Sequence, residues 1–250
     1  YKVNVTDAIP NKEGVIVVLP ETLCHLAPKF DKATVLIWWL SVDNGFGALS
    51  RVNLNHLRRP NDVCHAAQSE YAARFCETLN LECKSWLTDY TVDLTEYATP
   101  LRMDSDVVAR PKLVAFAAGW KVTADVGAII EEITRLDPEI ECVRVAGLSR
   151  RAVAELFAKA RVYVDLGNFP GKDRAPREAA RMGAICVTAA SGAAPYERWP
   201  LVDVKDVAET VERLVRSPEN AGAIMSIVRG GIEIERKSFF NEVCELFGVL

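Results

Sequence analysis

Five charged side chains lie close together in the segment GKDRAPRE, which separates two strongly apolar runs. They are Lys172, Asp173, Arg174, Arg177 and Glu178. Pro176 is typical of the first turn of a helix, where its missing N–H costs nothing, so the segment predicts a helix N-terminus. The free N–H groups and positive dipole end of a helix attract phosphate, and cations beside them are favourable when an anion is bound. We therefore predict an anion site; the alternative is a solvated loop whose charges pair with one another.

Two residues of this segment fit a ligand that carries phosphate. Gly171 directly precedes the charges, and a glycine lets the backbone approach a ligand closely. Glu178 would lie in the first turn of the helix, where its carboxylate could accept hydrogen bonds from a vicinal diol such as a ribose. A carboxylate is also favourable at a helix start without any ligand, so both interpretations of Glu178 stay open.

The elements that must position these residues alternate along the chain. Short β-branched runs alternate with longer segments of helical period, which is typical of a doubly wound α/β fold. Strands are predicted at 14–19, 34–39, 62–67, 84–87, 112–117, 140–145, 162–166, 184–188 and 201–204. Helices are predicted at 69–79, 124–135, 150–159 and 176–182, and from about 205 onward. Ligands bind outside the carboxyl ends of parallel strands, so the charged segment, which follows a strand, would lie at a binding edge.

The alternation stops between residues 93 and 111, where two prolines occur and no period is sustained. We therefore predict a first domain at 1–97, a linker at 98–111 and a second domain at 112–250. The first residue is Tyr1 rather than Met, so we expect the N-terminal domain to be incomplete.

The composition excludes several classes of protein. The net charge is -4, so the chain lacks the basic surface that nucleic-acid binding requires, and the pairs Arg58–Arg59 and Arg150–Arg151 are predicted to be solvated. Seven cysteines without a C-x-x-C spacing indicate buried thiols in a reducing compartment, and three histidines without paired spacing argue against a metal site. No apolar run approaches the roughly 20 residues of a membrane span, so we expect a cytoplasmic protein with at most peripheral membrane contact.

The segment VYVDLGNFPGKDRAPREAA, with the upstream stretches LSVDN and AAQSEYAARF, resembles bacterial glycosyltransferase-like proteins of the GT-B fold with a family 4-like donor-binding domain. The resemblance extends from about Val15 to Val204, and its most specific part is the block GKDR…PREAA. It implies two Rossmann-like domains and a nucleotide-diphosphate sugar as the donor substrate, without a cofactor. It also implies that Glu178 holds the nucleotide ribose and that Lys121 holds the diphosphate.

The chain departs from that family at one position. Many retaining members carry a first glutamate where this chain has Pro170, so the sugar contact and the retaining or inverting outcome stay open. An inverting transferase needs a general base for the acceptor hydroxyl, and Glu21 and Asp43 are the carboxylates that follow first-domain strands. The alternatives are that Glu21 is a helix-start acid and Asp43 a turn residue.

Two functions follow as hypotheses. The first is transfer of a sugar from a nucleotide-diphosphate sugar to a glycan, a lipid-linked acceptor or another hydroxyl, in surface polysaccharide or glycan assembly. The second is binding of a nucleotide or sugar without catalysis. A bound metal is not expected, because cations and helix N–H groups would meet the phosphate charge. The triplet Asp104-Ser105-Asp106 has the letters of a metal-binding motif, but no apolar strand precedes it.

Overall fold

The computed structural model describes residues 8–59, 63–91, 93–98, 110–119 and 121–248. The Asp104-Ser105-Asp106 triplet and nearly all of the linker predicted at 98–111 lie outside the described residues. The chain divides into two compact units. Unit 1 comprises the described residues up to Thr88 together with 170–172 and the residues from Phe239 onward, and unit 2 comprises 89–169 and 173–238. No helix in the described ranges is both long enough and apolar enough to cross a bilayer.

Unit 1 contains a four-stranded parallel sheet in the order β1-β2-β3-β4. Its strands are β1 (Ile16–Pro20), β2 (Thr34–Trp39), β3 (Val63–Ala67) and β4 (Cys83–Trp86). Its helices before residue 88 are a 3₁₀ helix (Glu21–Lys29), α1 (Val42–Leu49), α2 (Leu54–Leu57) and α3 (Glu70–Thr78). Each strand lies beside its predecessor in the same direction, so right-handed crossovers place the connecting helices on one face of the sheet.

The two faces of this sheet are covered by different parts of the chain. On the helix face, Val35, Ile37 and Trp39 of β2 belong to the main apolar cluster of unit 1. On the other face, Leu36 packs with residues of α8 (Gly222–Phe247), whose last part belongs to unit 1. The ring of Trp38 stacks on that of Phe239, with centroids 6.1 Å apart. The alternation of successive side chains along a strand therefore buries both faces of β2.

Unit 2 contains a five-stranded parallel sheet in the order β6-β5-β7-β8-β9. Its strands are β5 (Leu113–Ala117), β6 (Glu141–Val145), β7 (Val162–Asp165), β8 (Ile185–Ala189) and β9 (Leu201–Val202). Its helices are α4 (Val126–Leu136), α5 (Arg150–Lys159), α6 (Arg174–Arg181), α7 (Val207–Arg216) and the first part of α8. The strand order reverses between β5 and β7, and such a switch point opens a crevice at the carboxyl ends of the strands. The prediction of an α/β fold with two parallel sheets is confirmed.

The loop that follows β7 is held by the loop that follows β8. Phe169 is fully buried, and its carbonyl accepts a hydrogen bond from the N–H of Ala193, at 2.8 Å. Asn168 accepts a hydrogen bond from the hydroxyl of Ser191, at 2.7 Å. Gly192 has a φ of +52°, and an added Cβ there would overlap the carbonyl of Phe169. Only glycine satisfies both the left-handed backbone and the close approach at this position.

We expect Gly192→Ala to lower the free energy of unfolding by on the order of 3 kcal/mol, because it combines an unfavourable φ with a backbone overlap. The matched control is Gly231→Ala, which lies within α8 and would meet no atom within 4 Å. Alanine has the higher helix propensity, so the control should gain about 0.5–1 kcal/mol. Urea unfolding of both variants measures the difference. An equal effect of the two substitutions would contradict the close packing of these loops.

A buried histidine links β3 to the helix face of unit 1. The indole N–H of Trp39 donates to Nδ1 of His65, at 3.1 Å, so Nδ1 is an acceptor and Nε2 carries the proton. Nε2 donates to the carbonyl of Leu57, at 2.8 Å. Burial lowers the pKa of His65 from its ordinary value near 6.5, only partly offset by the Leu57 hydrogen bond. The folded protein therefore holds this imidazole neutral.

We expect the free energy of unfolding to fall as the pH drops through about 6.5. Below that pH His65 binds a proton in the unfolded chain but stays neutral in the folded protein, because burial lowers its pKa. Unfolding curves between about pH 7.5 and about pH 5 measure this loss. His65→Gln should lack that part of the pH dependence, whereas His56→Gln, at a partly exposed position, should keep it. The same pH dependence in both variants would show that another group causes it.

Candidate functional site

A cavity of about 570 Å³ lies in unit 2 where the strand order reverses. It is formed by the carboxyl ends of β5, β6 and β7, the loops that follow them, and the start of α6. Its lining comprises Leu94, Ala117, Ala118, Gly119, Lys121, Val122, Val145, Leu148, Arg150, Val153, Tyr163, Asp165, Asp173, Arg174, Ala175 and Glu178. The position agrees with the rule that ligands bind at the switch point of an open parallel sheet.

The loops on either side of the switch point are hydrogen-bonded to each other. Val122, after β5, forms an isolated antiparallel bridge with Gly167, after β7. The N–H of Asn168 donates to the carbonyl of Lys121, at 3.0 Å. Lys121 therefore lies in a segment whose backbone is fixed beside the β7 loop, and its side chain lines the cavity.

The first turn of α6 contributes Arg174, Ala175 and Glu178 to the cavity. Asp173 occupies the N-cap position, but its side chain makes no capping hydrogen bond. Aspartate at an N-cap usually accepts from the second or third helical N–H, and here the third helical residue is Pro176, which has none. The prediction of a helix N-terminus within the charged segment agrees with α6, which begins at Arg174.

The side chains of Arg150, Arg174 and Glu178 make neither a hydrogen bond nor an ion pair with any residue in the described part of the chain. Burial raises the pKa of the Glu178 carboxyl, and the charges of the nearby arginines only partly offset this. Lys121 pairs with Asp173, with 2.7 Å between Nζ and Oδ1. The charged groups that border the cavity thus have hydrogen-bonding capacity that the described residues largely leave unused. This is typical of a site that can bind a polar ligand.

Two cavity residues were not identified from the sequence. The prediction that Arg150 is simply solvated is incomplete: its neighbour Arg151 pairs with Glu155 on the helix surface, but Arg150 itself lines the cavity. Asp165, the last residue of β7, is buried and accepts hydrogen bonds from the N–H of Gly167 at 3.0 Å and the hydroxyl of Tyr163 at 3.2 Å. Burial raises the pKa of Asp165. The sequence signal that could have identified Asp165 is a carboxylate at the end of the apolar strand β7.

Arg177, which the sequence grouped with the other cations, is not among the cavity-lining residues. Its side chain is 1% exposed, and its guanidinium pairs with Asp89 at 2.7 Å and Glu235 at 2.8 Å. It also donates to the carbonyl of Asp173, at 3.1 Å. Arg177 therefore joins α6 to α8 and to the segment around Asp89 within unit 2.

Gly171 and Lys172 belong to unit 1 and likewise do not line the cavity. Gly171 forms an isolated bridge with Ser41, and an added Cβ would overlap the carbonyl of Leu40. The N–H of Lys172 donates to Oε1 of Gln68 at 3.0 Å, and its amine contacts the hydroxyl of Thr88 at 3.3 Å. The charged segment of the sequence is therefore divided between the two units.

The two candidate general bases also lie in unit 1 and have partners there. Glu21 is buried, and its carboxylate accepts a hydrogen bond from the N–H of Leu40, at 2.8 Å. The carboxylate of Asp43 accepts one from the hydroxyl of Tyr71, at 2.8 Å. Glu21 therefore joins the start of the 3₁₀ helix to the residue that follows β2, and Asp43 joins α1 to α3. Within the described ranges, no three His, Cys, Asp or Glu side chains are grouped so that they could hold a metal ion.

Removal of Arg174 and removal of Arg177 should affect stability to different extents. Arg177→Ala removes a buried guanidinium from the buried carboxylate of Glu235 and the partly exposed carboxylate of Asp89, so we expect it to lower the free energy of unfolding by about 3–5 kcal/mol. Arg174→Ala removes an exposed side chain without a partner and should change it by less than about 0.5 kcal/mol. Thermal unfolding of both variants measures this. Equal loss of stability in both would show that the charges of α6 form one structural network.

Neither a protein-family model nor a curated protein sequence matches the chain, but solved structures do. HepE from Anabaena, in complex with UDP, superposes with a TM-score of 0.64 at 14% identity, over 94% of this chain and 79% of HepE. A TarM mutant from S. aureus, in complex with fondaparinux, α-GlcNAc-glycerol and UDP, gives 0.63 at 13% identity, over 87% of this chain and 51% of TarM. Sucrose-phosphate synthase from Thermosynechococcus elongatus gives 0.59 at 13% identity, over 93% and 72%. The chain therefore has the fold of the GT-B glycosyltransferases.

Proposed function

We propose that this protein transfers a sugar from a nucleotide-diphosphate sugar to a hydroxyl acceptor. The observation that carries the proposal is the cavity at the switch point, bordered by Lys121 and by the side chains of Arg150, Arg174 and Glu178, which have no hydrogen-bond or ion-pair partner among the described residues. The structure of HepE with UDP and that of TarM with UDP and α-GlcNAc-glycerol support the choice of ligand for a chain with the same fold.

The diphosphate would bind between Lys121, Arg174 and the first turn of α6. Lysine supplies a compact charge and arginine a planar set of donors, both suited to phosphate oxygens. The helix N-terminus adds N–H groups and the positive end of the dipole, and its N-cap residue Asp173 makes no capping hydrogen bond. These groups together meet the charge of a diphosphate, so the proposal involves neither a resident metal nor a cofactor.

Glu178 would hold the ribose. An ionised carboxylate has two oxygens that accept hydrogen bonds, and two neighbouring hydroxyls of a ribose donate to such a pair. Glu178 is partly buried on the cavity wall and has no hydrogen-bond partner in the described part of the chain, so both of its oxygens can accept from a ligand. This is the role that the resemblance of the block PREAA to glycosyltransferase-like proteins implies.

The same cations would assist the chemical step. As the bond between sugar and phosphate breaks, negative charge grows on the departing nucleoside diphosphate, so donors fixed beside it stabilise the transition state more than the ground state. The finer parts of the proposal are a hexosyl donor, a glycan or lipid-linked acceptor, a role in surface polysaccharide or glycan assembly, and action in the cytoplasm. The first three depend on the family resemblance alone, and the last depends on the interpretation of the cysteines as reduced thiols.

A second candidate function is binding of a nucleotide or nucleotide sugar without turnover. The observation that favours it is the engagement of both candidate bases, Glu21 by a main-chain N–H and Asp43 by Tyr71. Pro170 also stands where many retaining relatives carry a glutamate. Release of free nucleotide from a donor in the presence of an acceptor distinguishes the two functions, because both would bind the donor.

The test is a thermal-shift panel of UDP, GDP, CMP and ADP sugars, followed by turnover of the donor that raises the melting temperature. Arg174→Ala should reduce turnover by about a hundredfold, because one donor to the leaving phosphate is lost. Glu178→Ala should weaken nucleotide binding about tenfold but leave the affinity for inorganic pyrophosphate unchanged, because it removes only the ribose contact.

The matched control is Arg151→Ala, which removes an arginine next to Arg150 that pairs with Glu155 outside the cavity. It should bind and turn over the donor like the parent protein. Parental binding and turnover in the Arg174 and Glu178 variants would refute the site, and the lack of any shift across the panel would refute the function.

A further inference from the structure

The cation best placed to meet a diphosphate already has an anionic partner. Nζ of Lys121 lies 2.7 Å from Oδ1 of Asp173, and both side chains line the cavity. They are partly exposed, at 33% for Lys121 and 22% for Asp173, so a ligand in the cavity can reach the pair. A second carboxylate, Asp165, also lines the cavity, and its oxygens accept hydrogen bonds from Gly167 and Tyr163.

The local sequence explains why Asp173 turns to Lys121. As the N-cap of α6 it would ordinarily accept from the helix, yet it makes no capping hydrogen bond. Pro176 removes the donor at the third helical position, which is one of the two that an N-cap side chain uses. The carboxylate therefore remains available to Lys121, and the first turn of α6 keeps its N–H groups for another acceptor.

We propose that Asp173 is a resident counter-anion of Lys121, which the diphosphate of the donor displaces and which pairs with Lys121 again when the nucleoside diphosphate leaves. The inference rests on the proposed function. It means that Asp173 weakens the binding of the diphosphate, whereas a ligand contact would strengthen it. The carboxylate and the phosphate compete for one ammonium group and repel each other, so Asp173 lowers the affinity for the departing product.

The consequence concerns product release, which limits the turnover of many enzymes that enclose their substrates. A cavity of purely positive charge would hold a nucleoside diphosphate tightly after the sugar has left. A carboxylate of the protein that pairs with Lys121 again competes with the product for this ammonium group.

The first experiment compares Asp173→Asn with the parent by calorimetric titration of UDP, GDP, ADP and inorganic pyrophosphate. Asparagine keeps the shape and is an equally good N-cap, so the fold should be unaffected. Binding of the recognised nucleoside diphosphate and of pyrophosphate should tighten about fivefold, the factor that corresponds to a partly exposed ion pair. The control is Asp203→Asn, an exposed aspartate outside the cavity, which should leave both affinities unchanged.

A second variant separates displacement from simple repulsion. In a Lys121→Met background, Asp173→Asn should tighten binding by less than about twofold, because the lysine through which it acts is gone. In turnover, the Asp173→Asn protein should show a lower kcat at saturating donor and stronger inhibition by the nucleoside diphosphate, since the product leaves more slowly.

The outcomes are distinct. Weaker or unchanged binding by Asp173→Asn would overturn the inference and leave the proposed function standing, because Asp173 would then be a ligand contact or irrelevant. The same increase in affinity from Asp173→Asn in the parent and in the Lys121→Met protein would show that Asp173 does not act through Lys121, and would overturn that part of the inference. Binding of none of the four probes by the parent protein would overturn the proposed function and the inference together.

Discussion

The reversal of strand order between β5 and β7 is the constraint on which the candidate site depends. The chain leaves β5 for β6 on one side and returns to β7 on the other, so the loops after β5 and β7 diverge at the carboxyl edge of the sheet. Hydrogen bonds between Lys121, Val122, Gly167 and Asn168 hold these loops at a fixed separation. The position of the cavity therefore follows from the strand order, and the side chains of its lining decide its charge.

Helical periodicity then decides which charges of α6 face the cavity. Residues four apart lie on the same side of a helix, so Arg174 and Glu178 share one face, and Arg177 and Arg181 share another. The second face meets Asp89 and Glu235 at Arg177, and Asp93 and Glu233 at Arg181. One short helix thus carries a pair that faces the cavity and a pair that forms ion pairs within unit 2, although all four side chains are charged.

The sequence predicts the strands and the start of α6 well, because apolar period and Pro176 are local signals. It also predicts that Lys121 and Glu178, which are far apart along the chain, border one site, through the family resemblance. It does not show that Arg174 lines the cavity whereas Arg177 forms buried ion pairs, because the carboxylates that pair with Arg177 lie 88 and 58 residues away along the chain. The sequence likewise does not show that Lys172 and Gly171 belong to unit 1, because their partners Gln68 and Leu40 lie far away along the chain.

The covering of the second face of the unit 1 sheet has a consequence for biosynthesis. Leu36 and Ala66 are shielded by Phe239, Val243 and Leu246, which a ribosome adds about 150 residues after β4, on the order of 10 s later at ordinary rates. Until then the nascent sheet presents an apolar surface to the medium. During that interval a chaperone that binds the exposed apolar face would protect the nascent chain from aggregation. A protein whose first domain buries its sheet with its own residues would need this protection less.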